Sequence, residues 1–151
     1  MSPVSRSSVR TCTLALARAG LLMSALLTTA TASAEDWPVL RHGMWEFSRS
    51  IETQGKPGKP QTLQTRECTS PTENMKRQNE MLTKGGCRFT PVTRSGNAYS
   101  YSATCKMQGM SGTSKSVITV DSDSAYTLRV ESDFGGESTR EVLRARRTGN
   151  C

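Results

Sequence analysis

The stretch from Tyr99 to Met107 constrains the fold more than any other part of the chain. Tyr99, Tyr101, Ala103, Cys105 and Met107 alternate with Ser100, Ser102, Thr104 and Lys106. Successive side chains of a strand point to opposite faces, so a strict period of two gives a strand with one apolar face. The same period recurs elsewhere. Trp45, Phe47 and Ile51 share a face of the segment 43–53, opposite Glu46, Ser48, Ser50 and Glu52. Arg49 interrupts that apolar face, which predicts an edge or rim position. Ser116, Ile118 and Val120 form another face, and Tyr126, Leu128 and Val130 another, with Phe134 in register. Weaker strands are predicted over 61–68, with Leu63, Thr65 and Glu67 on one face, and over 87–93, bent at Pro91. A final strand runs over 137–146, with Val142 and Leu143 on opposite faces.

One segment breaks the pattern. Ser70-Pro71-Thr72-Glu73 has the form of a helix start, with Ser70 as N-cap, Pro71 in the first turn and Glu73 closing a capping box. Met75, Gln78, Met81 and Leu82 follow at helical spacing, and Lys84-Gly85-Gly86 supplies a basic last turn and a glycine stop. Turns fall at the Gly/Pro-rich 54–60, at Ser95-Gly96-Asn97, over 108–112, at 121–124 and at Gly135-Gly136. Short connections between successive strands favour antiparallel neighbours. The expected fold is therefore mainly β. About seven strands form an antiparallel meander, as a strongly curved sheet or small open barrel, with one short helix after the second strand. A sandwich is the alternative.

The first 34 residues read as an export leader. Arg6, Arg10 and Arg18 precede the apolar run 19–27, and Ala32-Ser33-Ala34 offers a cleavage site after Ala34. The run falls short of the roughly 20 apolar residues that span a bilayer. The expected product is an exported protein, periplasmic or secreted, with a flexible segment at 35–42 and one domain over 43–151. Cleavage carries away three of the 20 basic residues and none of the 13 acids, lowering the net charge from +7 to +4. That modest charge suits anionic surfaces without demanding them.

Cleavage also removes Cys12 and leaves Cys68, Cys87, Cys105 and Cys151. An even set in an oxidising compartment reads as two disulfides, with three possible connectivities. Cys68–Cys87 with Cys105–Cys151 is the preferred pair, the first closing the helical excursion and the second tying Cys151 to a strand. Zinc is disfavoured: successive cysteines are separated by 18, 17 and 45 residues, no C-x-x-C occurs, and His42 is not near them in sequence.

No constellation points to catalysis. His42, the sole histidine, precedes the first strand, and no G-x-S-x-G elbow is present. Asp121 and Asp123 fall in a turn, and Glu131 and Asp133 share a solvent face. Met44, Met75, Met81, Met107 and Met110 raise Cu(I) coordination, but only the last two lie close in sequence, and methionines more often fill cores. The run Arg144-Ala145-Arg146-Arg147 reads as a solvated strand end rather than a nucleic-acid contact, because export and the few aromatics argue against nucleic acid. No cofactor is expected. The most suggestive feature is the stripe of Trp45, Phe47, Tyr99, Tyr101, Tyr126, Leu128 and Val130. It forms plain core or, if the sheet curves, the lining of a small apolar pocket.

Several of these residues carry a resemblance. Gly43-Met44-Trp45-Glu46, Cys68-Thr69-Ser70-Pro71, Gly109-Met110-Ser111-Gly112-Thr113, the cysteines 87 and 105, and Arg147-Thr148-Gly149-Asn150-Cys151 together resemble a bacterial exported family, the domain of unknown function number 3617. The resemblance covers 43–151 and implies a secreted or periplasmic domain, with no activity, cofactor or catalytic residue attached. The Lys-bearing 55–60 loop departs from the Met and Pro expected there. The resulting expectation is a non-enzymatic domain that binds an apolar small molecule, lipid or envelope component. The alternative is a protein-interaction module, such as an inhibitor or assembly factor.

Overall fold

Alternation does place the strands, and the structure, a computed structural model, gathers them into a single sheet. It describes residues 36–56, 59–107 and 109–151. The expected leader, residues 1–34, lies outside the described residues. The elements in chain order are β1 (Gly43–Thr53), β2 (Gln61–Thr69), α1 (Pro71–Lys84), β3 (Cys87–Phe89), β4 (Thr93–Ser95), β5 (Ala98–Met107), β6 (Met110–Ser122), β7 (Ala125–Phe134) and β8 (Glu137–Gly149).

The strands pair antiparallel in the order β2-β1-β8-β7-β6-β5-β3, with β4 also on β5. Eight strands appear instead of about seven because the segment around Pro91 divides. Proline has no N–H for a ladder, so pairing breaks at Pro91 between β3 and β4, although the Thr90 N–H still donates to the Ser102 carbonyl at 2.9 Å. The predicted 108–112 loop is also shorter than expected, since β6 begins at Met110 and runs through Gly112. A Cβ on Gly112 would overlap the Asp133 carbonyl and the Phe134 ring, so only glycine lets β7 lie so close.

The sheet is strongly curved but not closed. Laid flat, its seven-strand order would span about 29 Å at the usual inter-strand spacing. Yet Leu63 in β2 and Phe89 in β3, at opposite ends of that order, line one cleft. Register puts Trp45, Phe47 and Arg49 of β1 on the concave face. Beside them stand Ala145, Leu143 and Glu141 of β8, then Tyr126, Leu128 and Val130 of β7. Ile118 and Ser116 of β6 and Tyr99 and Tyr101 of β5 continue the face. The convex face is polar, carrying Glu46, Ser48, Arg144 and Arg146. Val142 and Leu143 do fall on opposite faces.

Arg49 does not mark an edge. β1 lies between β2 and β8, and the Arg49 charge is balanced on the concave face by Glu141 of β8. The true edge is β2, exposed along its length up to the buried Thr69.

From β2 the chain crosses as α1 to the other edge of the sheet, coming closest to it at β3. Ser70 is the N-cap with extended backbone, but its side chain makes no capping bond. Asn74 Nδ2 instead donates to Thr69 Oγ1 at 2.6 Å, and the Asn74 N–H donates to the Ser70 carbonyl at 3.0 Å. Gly85 ends the helix, its N–H donating to the Met81 carbonyl at 3.0 Å. Gly86, at φ 105°, then turns the chain into β3.

The segment before β1 is not loose. Trp37, Pro38 and Leu40 are buried. Thr72 Oγ1 of α1 donates to the Pro38 carbonyl at 2.6 Å and accepts the Leu40 N–H at 3.1 Å. The Arg41 N–H donates to the Asp123 carbonyl at 2.8 Å, and its carbonyl accepts Trp45 Nε1 at 3.0 Å. Trp37 packs on Tyr101 with ring centroids 5.4 Å apart. Two large apolar side chains give this segment a reason to dock, which outweighs the entropy of ordering a few residues.

The disulfides are Cys68–Cys151 and Cys87–Cys105, which corrects the expected pairing. β3 returns beside β5, with Cys87 directly opposite Cys105 on the concave face. Cys68 and Gly149 flank Met44 from opposite sides, so Cys151 reaches Cys68 across the end of β1. Loop-closure entropy predicts about 3 kcal/mol for the 18-residue separation and about 4.5 kcal/mol for the 83-residue one.

Candidate functional site

The concave face is filled at one end and open at the other. At the filled end Trp45 and Ile118 are fully buried, with Trp37, Leu40, Tyr99, Tyr126 and Ala145 packed around them. Of the stripe singled out from sequence, Trp45, Tyr99 and Tyr126 belong to this core, with Trp45 and Tyr126 in ring contact at 5.8 Å. Phe47, Tyr101 and Leu128 are only partly buried against it. A smaller cluster of Cys87, Ala103 and Cys105 closes the β3–β5 side, with Leu82, Phe89 and Phe134 against it.

Between these clusters lies a cleft of about 480 Å³, bounded by the sheet on one side and α1 on the other. Phe47, Tyr101, Leu128, Val130 and Leu143 form its apolar floor. Met75, Gln78 and Leu82, which recur at helical spacing, face it from α1. Ser114 and Ser116 add hydroxyls, and Leu63, an exposed apolar residue on β2, stands at its margin.

One ion pair lines the cleft, together with the carboxylate of Glu67 on β2. Arg49 Nε and Nη2 donate to the two carboxylate oxygens of Glu141 at 2.6 and 2.7 Å, a bidentate arrangement. This hydrogen bond is the main reason the guanidinium's pKa lies above its usual value. Burial pushes the Tyr126 hydroxyl well up, and the negative charge of Glu67 and the neighbouring Tyr101 add to the effect. Burial raises Tyr101 too, against a hydrogen bond shared with Ser116. Both phenols therefore stay protonated and neutral through the physiological range, so the charges lining the cleft are the compensated Arg49–Glu141 pair and the Glu67 carboxylate.

The remaining candidates scatter. Glu131 pairs with Arg140, and Asp133 accepts from Ser138. Asp123 sits in the β6–β7 turn, near Arg41 and bonded to Ser124. Met75 enters the core, whereas Met81 and Met110 are exposed and on separate elements. The basic run divides by alternation. Ala145 enters the core, and Arg144 and Arg146 reach the convex face, where Glu46 lies between Arg66 at 4.0 Å and Arg146 at 3.6 Å. A shallow convex depression of about 460 Å³ runs among these side chains. Arg147 instead donates through Nε to the His42 carbonyl at 2.9 Å and also bonds the Asn150 side chain.

Sequence reading missed Arg49–Glu141 as a pair, because its members are 92 residues apart. It also missed the position of His42, which stands beside Cys68, with Nε2 3.8 Å from the sulfur. The signal available was only register: Gly43 follows His42 and pairs with Thr69, which follows Cys68.

The two disulfides suggest an oxidising, exported environment, and no helix among the described residues is long and apolar enough to cross a membrane. No curated protein and no solved structure matches the chain. A family model does match over residues 40–151, which takes in all eight strands, the helix and both disulfides, and the chain therefore belongs to the family described as protein of unknown function (DUF3617).

Proposed function

We propose that this is an exported binding domain, without catalytic activity, that holds an amphiphilic small molecule or lipid in the cleft between α1 and the concave face. The single observation that carries this reading is that part of the apolar stripe is left uncovered by the core. Phe47, Tyr101 and Leu128 are only partly buried against the core and line a cleft of about 480 Å³. Ligand sites of small molecules occupy roughly 300–1,000 Å³ and combine apolar walls with a few placed polar groups. The apolar floor suits an alkyl or aromatic moiety. Arg49 and Glu141, both lining the same cleft, suit a polar head group that can take a hydrogen bond from one and give one to the other.

The test is displacement of an apolar fluorophore, N-phenyl-1-naphthylamine, by long-chain amphiphiles. The comparison is with Leu128→Trp, which fills the floor of the cleft while leaving the Trp45 core intact. Probe enhancement in the native protein, displaced by amphiphiles and lost in Leu128→Trp, is the expected result. Equal enhancement in both proteins, or none in either, would overturn the reading.

A further inference from the structure

We propose that Cys68, Cys151 and His42 form a redox-gated site for a thiophilic divalent cation, Zn²⁺, closed while the disulfide is intact and opened by its reduction. The inference is independent of the cleft. His42 Nε2 and the two sulfurs lie within 4.8 Å of one another, and all three residues are exposed. In the disulfide the sulfurs are not thiolates, and the thiolate is the form that binds metal. The histidine nitrogen alone then offers one strong donor.

Reduction changes the donor set without requiring the strands to move. A dithiol reductant gives two electrons and two protons to the Cys68–Cys151 bond and becomes a disulfide itself. The S–S bond breaks and two thiols form. A divalent cation then displaces both thiol protons and takes two thiolates and one imidazole nitrogen. Tetrahedral zinc with sulfur ligands at about 2.3 Å needs the sulfurs roughly 3.7 Å apart. Opening the bridge permits that separation.

Other contacts hold the three residues in place. Cys68 pairs with Met44, and Met44 pairs with Gly149 on its other side. Thr148 Oγ1 donates to the Met44 carbonyl at 3.3 Å, and Arg147 holds the His42 carbonyl at 2.9 Å. A Cβ at Gly43 would overlap the Arg147 side chain, so glycine is what lets His42 and Arg147 approach. The other disulfide lacks such a setting: Cys87 and Cys105 are buried, and no histidine lies by them. Exposure directs a dithiol to Cys68–Cys151 first.

The experiment titrates Zn²⁺ against a chromophoric chelator, with Co²⁺ as a spectroscopic substitute, before and after mild dithiol treatment. Mass tagging identifies which bridge has opened, and the emission of the two buried tryptophans, Trp37 and Trp45, reports the fold in the same sample. The expected result is no uptake by the oxidised protein. The reduced protein takes up one equivalent, with thiolate-to-Co²⁺ absorption and unchanged tryptophan emission. His42→Ala weakens binding by more than the about 10- to 100-fold typical of losing an outer-shell partner. Any one of several results would overturn the proposal: absence of thiolate–cobalt absorption, undiminished binding by His42→Ala, earlier opening of Cys87–Cys105, or uptake accompanied by exposed-tryptophan emission.

Discussion

The two ends of the concave face are built from the same alternating strands yet end in opposite states. At one end Trp45 and Ile118 are sealed by Trp37, Leu40, Tyr99 and Tyr126. At the other, Phe47, Leu128 and Leu143 face a cleft beneath α1. The difference lies in what covers each end. The segment before β1 inserts an indole and a leucine at the first end, and Thr72 fastens it to the helix. Over the second end the helix presents Met75, Gln78 and Leu82, with space beneath them. Apolar alternation thus defines a face, and the covering segment decides whether that face becomes core or cavity.

Truncation should separate the two ends most sharply. Trp45→Ala removes a fully buried indole and should destabilise the domain by about 3–5 kcal/mol. Leu143→Ala, on a floor that already faces a void, should cost about 1 kcal/mol. Urea unfolding of both variants measures the contrast, and equal losses would erase it.

Alkaline unfolding offers a subtler distinction. The Tyr126 hydroxyl is raised above its ordinary value near 10 in the folded state. Its stabilising contribution is therefore fully present below pH 10 and falls away as the pH climbs, because the unfolded chain gives up that proton first. Tyr126→Phe should flatten the loss of stability above pH 10 and leave neutral stability little changed, as pH-dependent urea midpoints will show.

The smallest effect should come from the ion pair. Arg49 is half exposed, and exposed pairs contribute about 0–1 kcal/mol. Arg49→Gln should shift the unfolding midpoint barely, while changing which amphiphiles displace the naphthylamine probe. A large stability loss would make the pair part of the scaffold rather than of the cleft.

Much of the fold was legible because strand periodicity is local. The face shared by Trp45 and Phe47, the division of Val142 from Leu143 and the helix from Pro71 to Lys84 all follow from short-range pattern. The rest depends on partners far along the chain. Arg49 resembled an edge residue because its counter-charge sits on β8. The cysteines allowed three pairings, and only the return of β3 beside β5 selects one. Trp37 and Leu40 carried a signal in their own apolarity, hidden by their position between the expected leader and the first strand. The cleft itself was not legible, since alternation states which side chains share a face and not what lies across from them.

The pairing of β1 with β8 also sets an order of events. Thr148 meets Met44 across 104 residues, and β1 has no partner on that side until β8 arrives. Local hairpins from β5 to β8 can close early, because their loop-closure cost is small. The β1–β2 hairpin can dock only once the eighth strand is free to join it. A sheet arranged in this way is completed last, at the seam between β1 and β8. Until that seam closes, both halves expose unpaired strand edges, the kind of surface on which partly folded chains aggregate.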